Sequence, residues 1–497
     1  MTLNESDSPI PSPAAKRELV DALRAFLPAQ SVLHEKSDLH PFECDGLPVY
    51  RRTPMVVALP DEIEQVGRII RVCAARNVPI VARGAGTGLS GGALPLTNGL
   101  LLSLAKFSQI LEIDAQRRIM RVQPGVRNLA ISQAAEPYGL YYAPDPSSQI
   151  ACSIGGNVAE NSGGLHCLKY GLTVHNVIAL KIVTIEGELL ELGGDAPDCP
   201  GFDLLALMHG SEGMLGVVVE VTVRLLPIPE QAQVVLGAFS DVASGGNAVA
   251  DIIAAGILPA GLEMMDKLAI EAAEAFAKCG YPLEAEAILL CEVDGTPDEV
   301  SEQLVAVEAV MKKAGATEVR IASDQAERAR LWLGRKSAFP AVGRISPDYY
   351  CIDGTIPRKH LAEVLRRMQQ MSAEYKLRVA NVFHAGDGNL HPLILFDANI
   401  PGELERTEEF GGKILELCVE VGGTITGEHG VGVEKLNQMC VQFPAHELDQ
   451  FHKVKAAWDP NGLLNPGKAV PTLQRCAEFG AMHVHAGNLP FPELERF

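Results

Sequence analysis

The sequence predicts an α+β protein of roughly two to four domains, and three observations support that prediction. A chain of 497 residues is too long for one ordinary hydrophobic core. After Pro54 short apolar segments alternate with a helical pattern, whereas after Pro227 long alanine- and glutamate-rich helices alternate with few strands. The breaker-rich segment LLPIPEQAQ separates the two patterns. We therefore expect an N-terminal domain of mixed strands and helices, followed by an α+β cap domain in which helices cover a sheet.

Local patterns predict individual elements in both parts of the chain. AAKRELVDALRAFL predicts a short helical arm, and DEIEQVGRIIRVCAARN predicts an amphipathic helix that opens with acidic residues. The predicted strands of the first part are MVVALP, VPIVARG, GLLLSLAKF and RIMRVQPGV. The second part has predicted helices at NAVADIIAAG, DKLAIEAAEAFAKCG and DEVSEQLVAVEAVMKKAG, and predicted strands at AEAILLCEVDG and TEVRIASD.

Composition limits the partners and the location that can be expected. Apolar residues make up 47% and charged residues 21% of the chain, which is typical of a folded protein. The formal net charge of −20 argues against nucleic acid and against an anionic membrane surface as direct partners. The polar start MTLNESDSPIPSP lacks the features of a signal peptide, and no apolar run reaches the roughly 18 residues of a membrane span. These features predict a cytoplasmic protein.

The 11 cysteines are scattered along the chain and include no CxxC pair. This pattern favours free thiols in a reducing compartment over a disulfide framework. It also argues against an iron–sulfur cluster in this chain, because such clusters need grouped thiolates.

A glycine-rich loop at residues 84–92 is the first candidate site. Backbone N–H groups that are unhindered by side chains can bind a pyrophosphate. Residues 86–91 match the pattern G-x-G-x-x-G, but a dinucleotide-binding βαβ unit needs a helix directly after this loop. Here Pro95 and then a predicted strand follow instead. A lone match of this kind is more often an ordinary turn, so this loop alone identifies no ligand.

Two more loops with the same chemistry lie in the same part of the chain. Residues 144–164 and residues 210–220 offer closely spaced glycine, serine and asparagine, with small side chains and many hydrogen-bond donors. Three such loops in one domain favour a large, flat, phosphate-bearing ligand over three unrelated turns.

Residues 50–228 as a whole resemble the two-subdomain FAD-binding domain of the vanillyl-alcohol oxidase and p-cresol methylhydroxylase superfamily. Some members attach FAD covalently through a histidine beside the first loop. Thr87 stands there in this chain, so non-covalent FAD is expected. The resemblance implies that separate groups of residues bind the pyrophosphate, the flavin with its ribityl chain, and the adenosine. These groups are Arg83, Gly84, Ala85, Gly86, Thr87, Gly88 and Ser90; then Pro144, Ser147, Gly155, Gly156, Asn157, Ser162 and Gly163; and finally Gly216 and Val218.

A second candidate site lies at residues 384–391. The Gly-Asp-Gly sequence between His384 and His391 rules against a helix and predicts a tight turn. The flanking segments RVANVF and PLILFD are strand-like. A hairpin would therefore bring the two imidazoles onto one face.

Glu428 and His429 are adjacent further along the chain and are bracketed by glycines. Two histidines and one glutamate match a three-ligand divalent site with an open position for substrate. Any one of the 13 histidines is more often a packed or surface residue than a ligand, but three ligand-type residues in glycine-bracketed turns favour a shared site. We assign His384, His391 and Glu428 to a divalent metal, for example zinc, and His429 to a general base.

Such a site suits the oxidation of a 2-hydroxy acid by a flavin. A divalent metal can chelate the carboxylate and hydroxyl together and lower the pKa of the hydroxyl, as it lowers that of water from about 16 to about 7. An imidazole can accept the hydroxyl proton while Cα passes a hydride to the flavin. Arg335, which follows Trp332 in a helical pattern, is the candidate clamp for the substrate carboxylate. A solvated helix arginine is equally compatible with that local sequence.

The C-terminal half resembles the FAD-linked 2-hydroxy acid dehydrogenases, which include D-lactate, D-2-hydroxyglutarate and glycolate enzymes. In that family the closing motif at residues 464–468 returns to the FAD domain, so the resemblance implies that Asn465 contacts the flavin. The residues that match this family are Arg335, His384, Gly386, Asp387, Gly388, Asn389, His391, Glu428 and His429.

The expected domain ranges are a helical arm at 1–50, the FAD-binding domain at 51–228, the cap domain with the metal site at 229–440, the C-terminal return at 441–470 and a tail at 471–497.

Residues 349–357 and 475–485 resemble, more narrowly, the flavin subunits of the bacterial glycolate oxidases, and this resemblance spans essentially the whole chain. Hydroxyglutarate-type relatives carry a lysine where this chain has Cys351 and an asparagine where it has Leu393. Those polar groups would serve a second carboxylate, so their absence favours a short monocarboxylate such as glycolate, and also D-lactate. Open alternatives are a D-lactate or D-2-hydroxyglutarate dehydrogenase acting alone, a flavoenzyme for another alcohol, and a non-catalytic FAD-bearing scaffold subunit.

The electrons that FAD accepts must leave it, and the sequence has no iron–sulfur or haem motif. The resemblance implies a hetero-oligomer with a second flavin-domain-like subunit and an iron–sulfur subunit, which pass electrons towards membrane quinone. Such partners would hold the chain peripherally at the inner membrane. The tail at residues 471–497 is rich in apolar side chains and is predicted to dock a partner.

Overall fold

The computed structural model describes residues 12–196, 201–472 and 475–476. In chain order the α-helices are α1 Pro13–Arg24, α2 Lys36–Leu39, α3 Ile63–Ala74, α4 Asn128–Ala135, α5 Ile154–Glu160, α6 Cys167–Tyr170, α7 Thr173–Asn176, α8 Leu204–Met208, α9 Val242–Ala254, α10 Lys267–Ala277, α11 Pro297–Lys313, α12 Gln325–Lys336, α13 Ala338–Val342, α14 Leu361–Tyr375, α15 Glu403–Glu420, α16 Leu436–Gln442 and α17 Ala445–Trp458. The strands are β1 Val32–Leu33, β2 Val56–Ala58, β3 Ile80–Arg83, β4 Leu100–Ser103, β5 Ile110–Asp114, β6 Ile119–Val122, β7 Leu140–Tyr141, β8 Val177–Val183, β9 Leu189–Gly193, β10 Val217–Arg224, β11 Leu226–Pro227, β12 Gln231–Phe239, β13 Gly261–Asp266, β14 Ala287–Gly295, β15 Glu318–Ile321, β16 Asp348–Cys351, β17 Gly354–Thr355, β18 Arg378–Phe383, β19 Asn389–Leu390 and β20 Pro392–Phe396. These bounds confirm each helix and strand that the local patterns predict.

The chain divides into two compact units. Unit 1 takes in the described residues within Met1–Ser162, Leu172–Pro227 and Glu428–Phe497, and unit 2 comprises Gly163–Gly171 and Ile228–Gly427. Apart from one residue at Ile228, these boundaries differ from the expected domain ranges at residues 163–171 and at residues 428–440. Both differences have a local cause, since side chains of residues 163–171 are bound to strand β14 and the backbone of residues 429–434 is bound to the first glycine-rich loop.

The two larger sheets of unit 1 each pack on a hydrophobic core, and strands β7 and β11 form a separate two-stranded sheet. In the four-stranded sheet, ordered β1-β2-β4-β3, the strands β2, β4 and β3 are parallel, and β1 pairs antiparallel with β2. Helix α3 covers it because Val66, Ile69, Ile70 and Cys73 repeat at helical spacing and are fully buried. Burying each isoleucine contributes roughly 1.5–3 kcal/mol. The five-stranded antiparallel sheet β5-β6-β10-β8-β9 packs on a second core that includes helices α4 and α5.

Unit 2 is built on a seven-stranded antiparallel sheet in the order β15-β12-β14-β13-β18-β20-β16. Several of its helices begin at side-chain caps; for example, Thr296 and Glu299 form a reciprocal capping box at the start of α11. Asp266 and Asp324 are the N-cap residues of α10 and α12, and each side chain accepts from one backbone N–H, without a reciprocal box. The central strands β13 and β14 are almost wholly buried, so a charged side chain there must have a buried partner.

The segment after helix α17 returns to the four-stranded sheet of unit 1. Leu464 forms a parallel bridge with Ile80 of β3, and the Asn465 side chain donates to the carbonyls of Gly92 and Glu212 at 2.9 and 2.6 Å. Asn465 has a positive φ of 45°, which asparagine tolerates better than most residues. The closing motif therefore ends beside the first glycine-rich loop.

The expectation of free thiols is wrong for one pair of cysteines. Cys440 of α16 and Cys476 form a disulfide with their Cα atoms 5.2 Å apart. The two residues are 36 positions apart in sequence, so no close spacing could signal the pairing. Most of the predicted docking tail, including every apolar residue after Cys476, lies outside the described residues. In the part of the chain that is described, no helix combines the length and apolarity that crossing a membrane requires.

Candidate active site

The first glycine-rich loop begins where strand β3 ends, at Arg83. The Arg83 side chain is buried and its Nη2 donates to the carbonyl of Ala93 at 2.6 Å, which closes the loop on itself. Gly84 must lack a side chain because a Cβ there would overlap the Ser153 hydroxyl. Gly86 has a φ of +71°, a conformation that favours glycine. The loop is therefore held from both ends, while its glycines leave backbone N–H groups accessible.

The second loop is organised by Ser153 and by a residue that the sequence did not single out, Asn128. Ser153 caps helix α5 by accepting from the Gly156 N–H, and Gly155 lies so close to Pro124 that a Cβ would meet it at 2.5 Å. Asn128 Nδ2 donates to the Pro144 carbonyl at 3.0 Å and to Asn157 Oδ1 at 3.1 Å. Asn128 thereby ties together two parts of the second loop, around Pro144 and around Asn157, within unit 1.

The other predicted cofactor residues have the following places. Thr87 and Gly88 lie in the first loop, Ser147 in the segment before α5, and Ser162 just after α5, where its hydroxyl accepts from Asn157 Nδ2 at 3.3 Å. Gly216 and Val218 flank the start of β10. Gly163 belongs to unit 2, in which it begins the segment that ends at Gly171.

The residues of unit 1 suit a phosphate-bearing cofactor such as FAD. Arg83 is only 6% exposed, and its Nε has no hydrogen-bond partner among the described residues. Burial lowers the pKa of this guanidinium, and the nearby Asp45 carboxylate opposes that change. A buried cationic donor beside open glycine N–H groups matches the chemistry of pyrophosphate recognition. Their contacts with FAD stay predictions.

The loop that carries His429 is fixed by side chains of the first glycine-rich loop and of the loop at residues 210–220. The Ser90 hydroxyl donates to the His429 carbonyl at 2.9 Å, and Glu212 accepts from the N–H groups of Val431 and Gly432 at 2.7 and 2.8 Å. Gly430 has a φ of +79°, and a Cβ there would overlap the Glu160 carboxylate. Ser90 is fully buried, so its hydroxyl serves this loop in addition to any contact with FAD. Sequence reasoning missed Glu212 because its partners lie more than two hundred residues away.

Glu160 and Glu212 place their carboxylates against the same loop glycines, since a Cβ on Gly92 or on Gly430 would meet both side chains. Burial raises the pKa of both, and for Glu160 the neighbouring Glu212 raises it further. Lys468 lies nearby, fully buried, with its Nζ donating to Gly92 and Leu94 carbonyls and to Asn465 Oδ1. Burial lowers the pKa of Lys468 to about 7, opposed by Asp45 and Glu212. Two close carboxylates favour sharing one proton, which reduces the charge buried under the loop.

In unit 2 the predicted hairpin holds the two histidines together. Backbone bonds join His384 and Asn389 in both directions, Asp387 accepts from the Asn389 N–H, and Gly388 makes the turn with a φ of +82°. The rings of His384 and His391 are 5.0 Å apart between centroids and stand edge to face. Both side chains are buried. The predicted approach of the two imidazoles is confirmed.

Arg335 is buried and paired with a carboxylate, although its local sequence was equally compatible with a solvated arginine. It lies on helix α12 with 1% exposure, and its Nε and Nη2 approach Glu263 Oε2 at 2.8 and 2.6 Å. Its Nη1 has no hydrogen-bond partner among the described residues. The same Glu263 accepts from His384 Nδ1 through Oε1 at 2.8 Å. Glu263 was missed from the sequence, although a carboxylate inside the apolar strand GLEMMD is itself a signal.

Asp353 is a second residue that the sequence analysis left without a role. It is fully buried, with Oδ1 3.4 Å from His391 Nε2. Its Oδ2 accepts from the Thr426 hydroxyl at 2.7 Å and from the Gly427 N–H at 3.0 Å. Glu428 directly follows Gly427, the last residue of unit 2. Two imidazoles with carboxylate partners are a donor set that suits a divalent cation, because such partners orient histidine ligands.

A further buried carboxylate, Glu292 on β14, anchors helix α12 and the segment Gly163–Gly171. It accepts from Arg328 at 3.0 and 2.8 Å, from Trp332 Nε1 at 2.5 Å and from His166 at 3.2 Å. Two residues on, Asp294 binds Lys169 and the Tyr170 hydroxyl. Arg328, Trp332 and Arg335 share one face of α12 by their spacing, so these contacts also hold Arg335 against the sheet.

We expect Glu292 to make the stability of the protein depend on acid pH. Burial would raise its pKa, but hydrogen bonds from His166 and Arg328 outweigh burial and lower the pKa to about 2. A lowered pKa in the folded state means stability that is present above the unfolded value near 4.5 and is lost as pH falls towards 2. The contribution is on the order of 3 kcal/mol.

The measurement is the difference in Tm between wild type and Glu292→Gln at several pH values from 7 to 3. We expect the wild-type advantage to shrink as pH falls below 4.5. Glu284→Gln, at an exposed position before the same strand, is the control and should show no such trend. An advantage of the wild type that stays constant down to pH 3 would contradict this account of Glu292.

Comparisons with known proteins agree with this arrangement. Residues 54–193 match the FAD binding domain family, and residues 228–469 match the family described as FAD linked oxidases, C-terminal domain. The chain is 66% identical over 476 residues to the glycolate oxidase subunit GlcD of Escherichia coli (strain K12), covering 96% of this chain and 95% of that protein. It is 33% identical over 422 residues to a D-lactate dehydrogenase of Archaeoglobus fulgidus, covering 84% of this chain and 92% of that protein.

The fold also matches that of a solved structure. The structure of p-cresol methylhydroxylase with substrate bound superposes with a TM-score of 0.80 at 17% identity, covering 93% of this chain and 98% of that one. This likeness confirms the predicted α+β fold class, with a two-subdomain FAD-binding domain and a cap domain. With both family models matched and a relative similar over nearly its whole length, this chain belongs to the FAD-linked oxidases and is an FAD-dependent oxidoreductase.

Proposed function

We propose that this protein oxidises glycolate, a small 2-hydroxy monocarboxylate, to the 2-oxo acid, with FAD as the hydride acceptor. The observation that carries the proposal is the group Arg335, Glu263, His384 and His391, which unit 2 buries together. It combines a cationic donor whose Nη1 has no partner among the described residues with two imidazoles. The high identity to the glycolate oxidase subunit GlcD supports the same substrate.

Each residue of the proposed site has a distinct task. Arg335 binds the substrate carboxylate through the edge of its guanidinium that faces away from Glu263. His384, His391 and Glu428 are the residues that would hold a divalent cation, for which zinc is our first choice. When bound, that cation would supply Lewis acidity, and FAD would supply the two-electron acceptor.

His429 is the proposed acceptor of the hydroxyl proton. The proton leaves the substrate hydroxyl for the imidazole, and the Cα hydrogen leaves with its electron pair, so that the carbonyl of the product forms. Ser90 binds the carbonyl of His429, and Glu212 binds the backbone N–H groups of Val431 and Gly432. A fixed backbone keeps the ring oriented for proton transfer.

Selection for a short substrate is proposed to lie at Cys351 and Leu393. The two residues are cross-strand partners of β16 and β20, and both are buried. Because Leu393 lies two residues after His391, it points to the same face of the sheet as that histidine. A small thiol and an isobutyl group offer no charged or amide contact to a second carboxylate, so a dicarboxylic acid would leave it desolvated and unpaired.

D-lactate is the second candidate substrate. It carries the same carboxylate and 2-hydroxyl as glycolate and only one more methyl group, and a relative of this chain is a D-lactate dehydrogenase. One methyl group is worth only about 1–3 kcal/mol of discrimination in an apolar pocket. We therefore propose that D-lactate is turned over as well.

We further propose that the protein works as a subunit, as the name of the GlcD relative describes for that protein. The proposed partners are a second flavin-domain-like subunit and an iron–sulfur subunit, which take the electrons from FAD. Through them the chain would be cytoplasmic and peripheral at the inner membrane, without any contact of its own with nucleic acid.

The proposal is tested by mixing the purified, FAD-containing protein with a panel of 2-hydroxy acids in the absence of oxygen. We expect glycolate and D-lactate to bleach the flavin absorbance, and 2-hydroxyglutarate to react at least tenfold more slowly because of its second carboxylate. L-lactate serves as the control for stereochemistry. A flavin that glycolate leaves oxidised, or that 2-hydroxyglutarate reduces fastest, would contradict the proposed substrate class.

A further inference from the structure

We propose that Glu263 is a positioning residue that orients Arg335 and His384 at the same time. Through its two carboxylate oxygens, it would couple recognition of the substrate carboxylate to retention of the divalent cation. The inference rests on the proposed function, because it takes Arg335 as the carboxylate clamp and His384 as a cation ligand.

The sheet itself places Glu263 beside His384. Strands β13 and β18 pair antiparallel, with Met264 opposite Phe383 and Met265 opposite Val382. Continuing this register by one position puts Glu263 opposite His384, at the point where β18 turns into the hairpin. The Gly386 N–H donates to the Leu262 carbonyl at 2.9 Å, which extends the pairing into the hairpin. A fixed register of this kind leaves the carboxylate little freedom to move away from the imidazole.

One oxygen of Glu263 determines which nitrogen of His384 carries the proton. Oε1 lies 2.8 Å from His384 Nδ1, and an ionised carboxylate can only accept a hydrogen bond. Nδ1 must therefore be the protonated nitrogen, which makes Nε2 the nitrogen with the lone pair. This is the arrangement by which carboxylates orient histidine ligands of metal ions.

The other oxygen holds one edge of the Arg335 guanidinium. Oε2 lies 2.8 Å from Nε and 2.6 Å from Nη2, so Glu263 occupies the side of the fork that faces the sheet. Nη1 is on the remaining edge, at a residue that is 1% exposed, with no partner among the described residues. A second carboxylate can then bind that edge without displacing the first.

The identity of the side chain matters because both contacts require an acceptor. Glu263 is 1% exposed, and its charge is balanced by Arg335 at close range. A glutamine has one oxygen and one amide N–H₂ group in place of two oxygens. In Glu263→Gln, an amide nitrogen that faces Arg335 sets donor against donor. An amide nitrogen that faces His384 requires Nδ1 to become the acceptor, which moves the proton to Nε2, the nitrogen proposed to bind the cation.

The experiment measures zinc affinity and glycolate KM of Glu263→Gln in the full, FAD-containing protein. We expect zinc affinity to fall about 10–100-fold and the KM for glycolate to rise about tenfold or more, with FAD content unchanged. Glu292→Gln is the matched control for zinc affinity. It is equally buried on the adjacent strand β14, but its partners Arg328, Trp332 and His166 are not proposed ligands.

The possible outcomes separate this inference from the proposed function. A wild-type protein that binds zinc, together with a Glu263→Gln variant of equal zinc affinity and equal KM, would overturn the inference and leave the proposed function standing. A wild-type protein that oxidises glycolate but binds no divalent cation would overturn the cation assignment and, with it, the coupling proposed for Glu263.

A measurement on the unmodified protein keeps the inference falsifiable if Glu263→Gln does not fold. ¹⁵N-histidine labelling distinguishes the two neutral tautomers, and a His384→Gln sample assigns the His384 signal. We expect Nδ1 of His384 to be protonated in the cation-free protein. A signal that places the proton on Nε2 would overturn the proposed role of Glu263.

Discussion

Replacing His429 by alanine is expected to lower the rate constant of flavin reduction by glycolate by a factor of about 10²–10⁴, the usual contribution of a general base. The loop is expected to survive the change, because Ser90 binds the carbonyl of residue 429 and Glu212 binds the two backbone N–H groups that follow. The loss should therefore appear in the rate of reduction and not in the FAD content. Anaerobic stopped-flow spectroscopy of the flavin measures it directly.

The control for this experiment is His446→Ala, at a histidine whose side chain is 80% exposed on the same unit. It should reduce at the wild-type rate. A His429→Ala protein that keeps full glycolate-dependent flavin reduction would remove His429 from the mechanism. It would also revive the alternative of a non-catalytic FAD-bearing scaffold.

Replacing Arg335 by alanine is expected to weaken both the fold and the turnover. The buried ion pair with Glu263 would lose one partner and leave a carboxylate without its counter-charge, which typically costs about 3–5 kcal/mol. The loss of a charged hydrogen bond to the substrate carboxylate should reduce kcat/KM for glycolate by roughly 10–150-fold. Thermal unfolding and steady-state kinetics with an artificial electron acceptor measure the two effects.

Arg330→Ala is the matched control because Arg330 is exposed on the same helix. Its effect on stability should stay within about 0.5 kcal/mol, as for most surface substitutions. If Arg335→Ala lost stability but kept the wild-type kcat/KM, Arg335 would be a structural residue only. The substrate carboxylate would then have to be bound elsewhere.

The parts of the site that depend on local chain chemistry could be predicted from the sequence. The Gly-Asp-Gly turn between His384 and His391 dictates a hairpin, and the hairpin brings the imidazoles together. The first glycine-rich loop could be separated from a dinucleotide-binding βαβ unit because Pro95 follows it where a helix would be needed. These predictions rest on positions a few residues apart.

The residues that support the site could not be predicted, because their partners are distant in sequence. Glu263 reaches Arg335 across 72 positions and His384 across 121. Glu212 reaches the loop after His429 across more than two hundred. Such pairs are set by sheet register and by the return of the chain, neither of which a local pattern contains. The pairing of Cys440 with Cys476 was missed for the same reason.

Whether the Arg335 side chain is exposed or buried could not be predicted from its local sequence. Helix α12 carries both charged residues and the apolar run Leu331–Leu333, so exposure and burial of Arg335 were equally compatible with the sequence. This face of helix α12 is buried because Glu292 and Glu263 lie on the neighbouring strands β14 and β13. They bind Arg328, Trp332 and Arg335 along a single helix face.

The proposed reaction is the transfer of a hydride from the Cα of glycolate to FAD. The most direct test is anaerobic mixing of the FAD-containing protein with glycolate and with glycolate deuterated at Cα, followed by the flavin absorbance. We expect complete bleaching with both substrates, and slower bleaching with the deuterated one because the Cα–H bond breaks in that step. A flavin that stays oxidised in the presence of glycolate would contradict the proposed reaction.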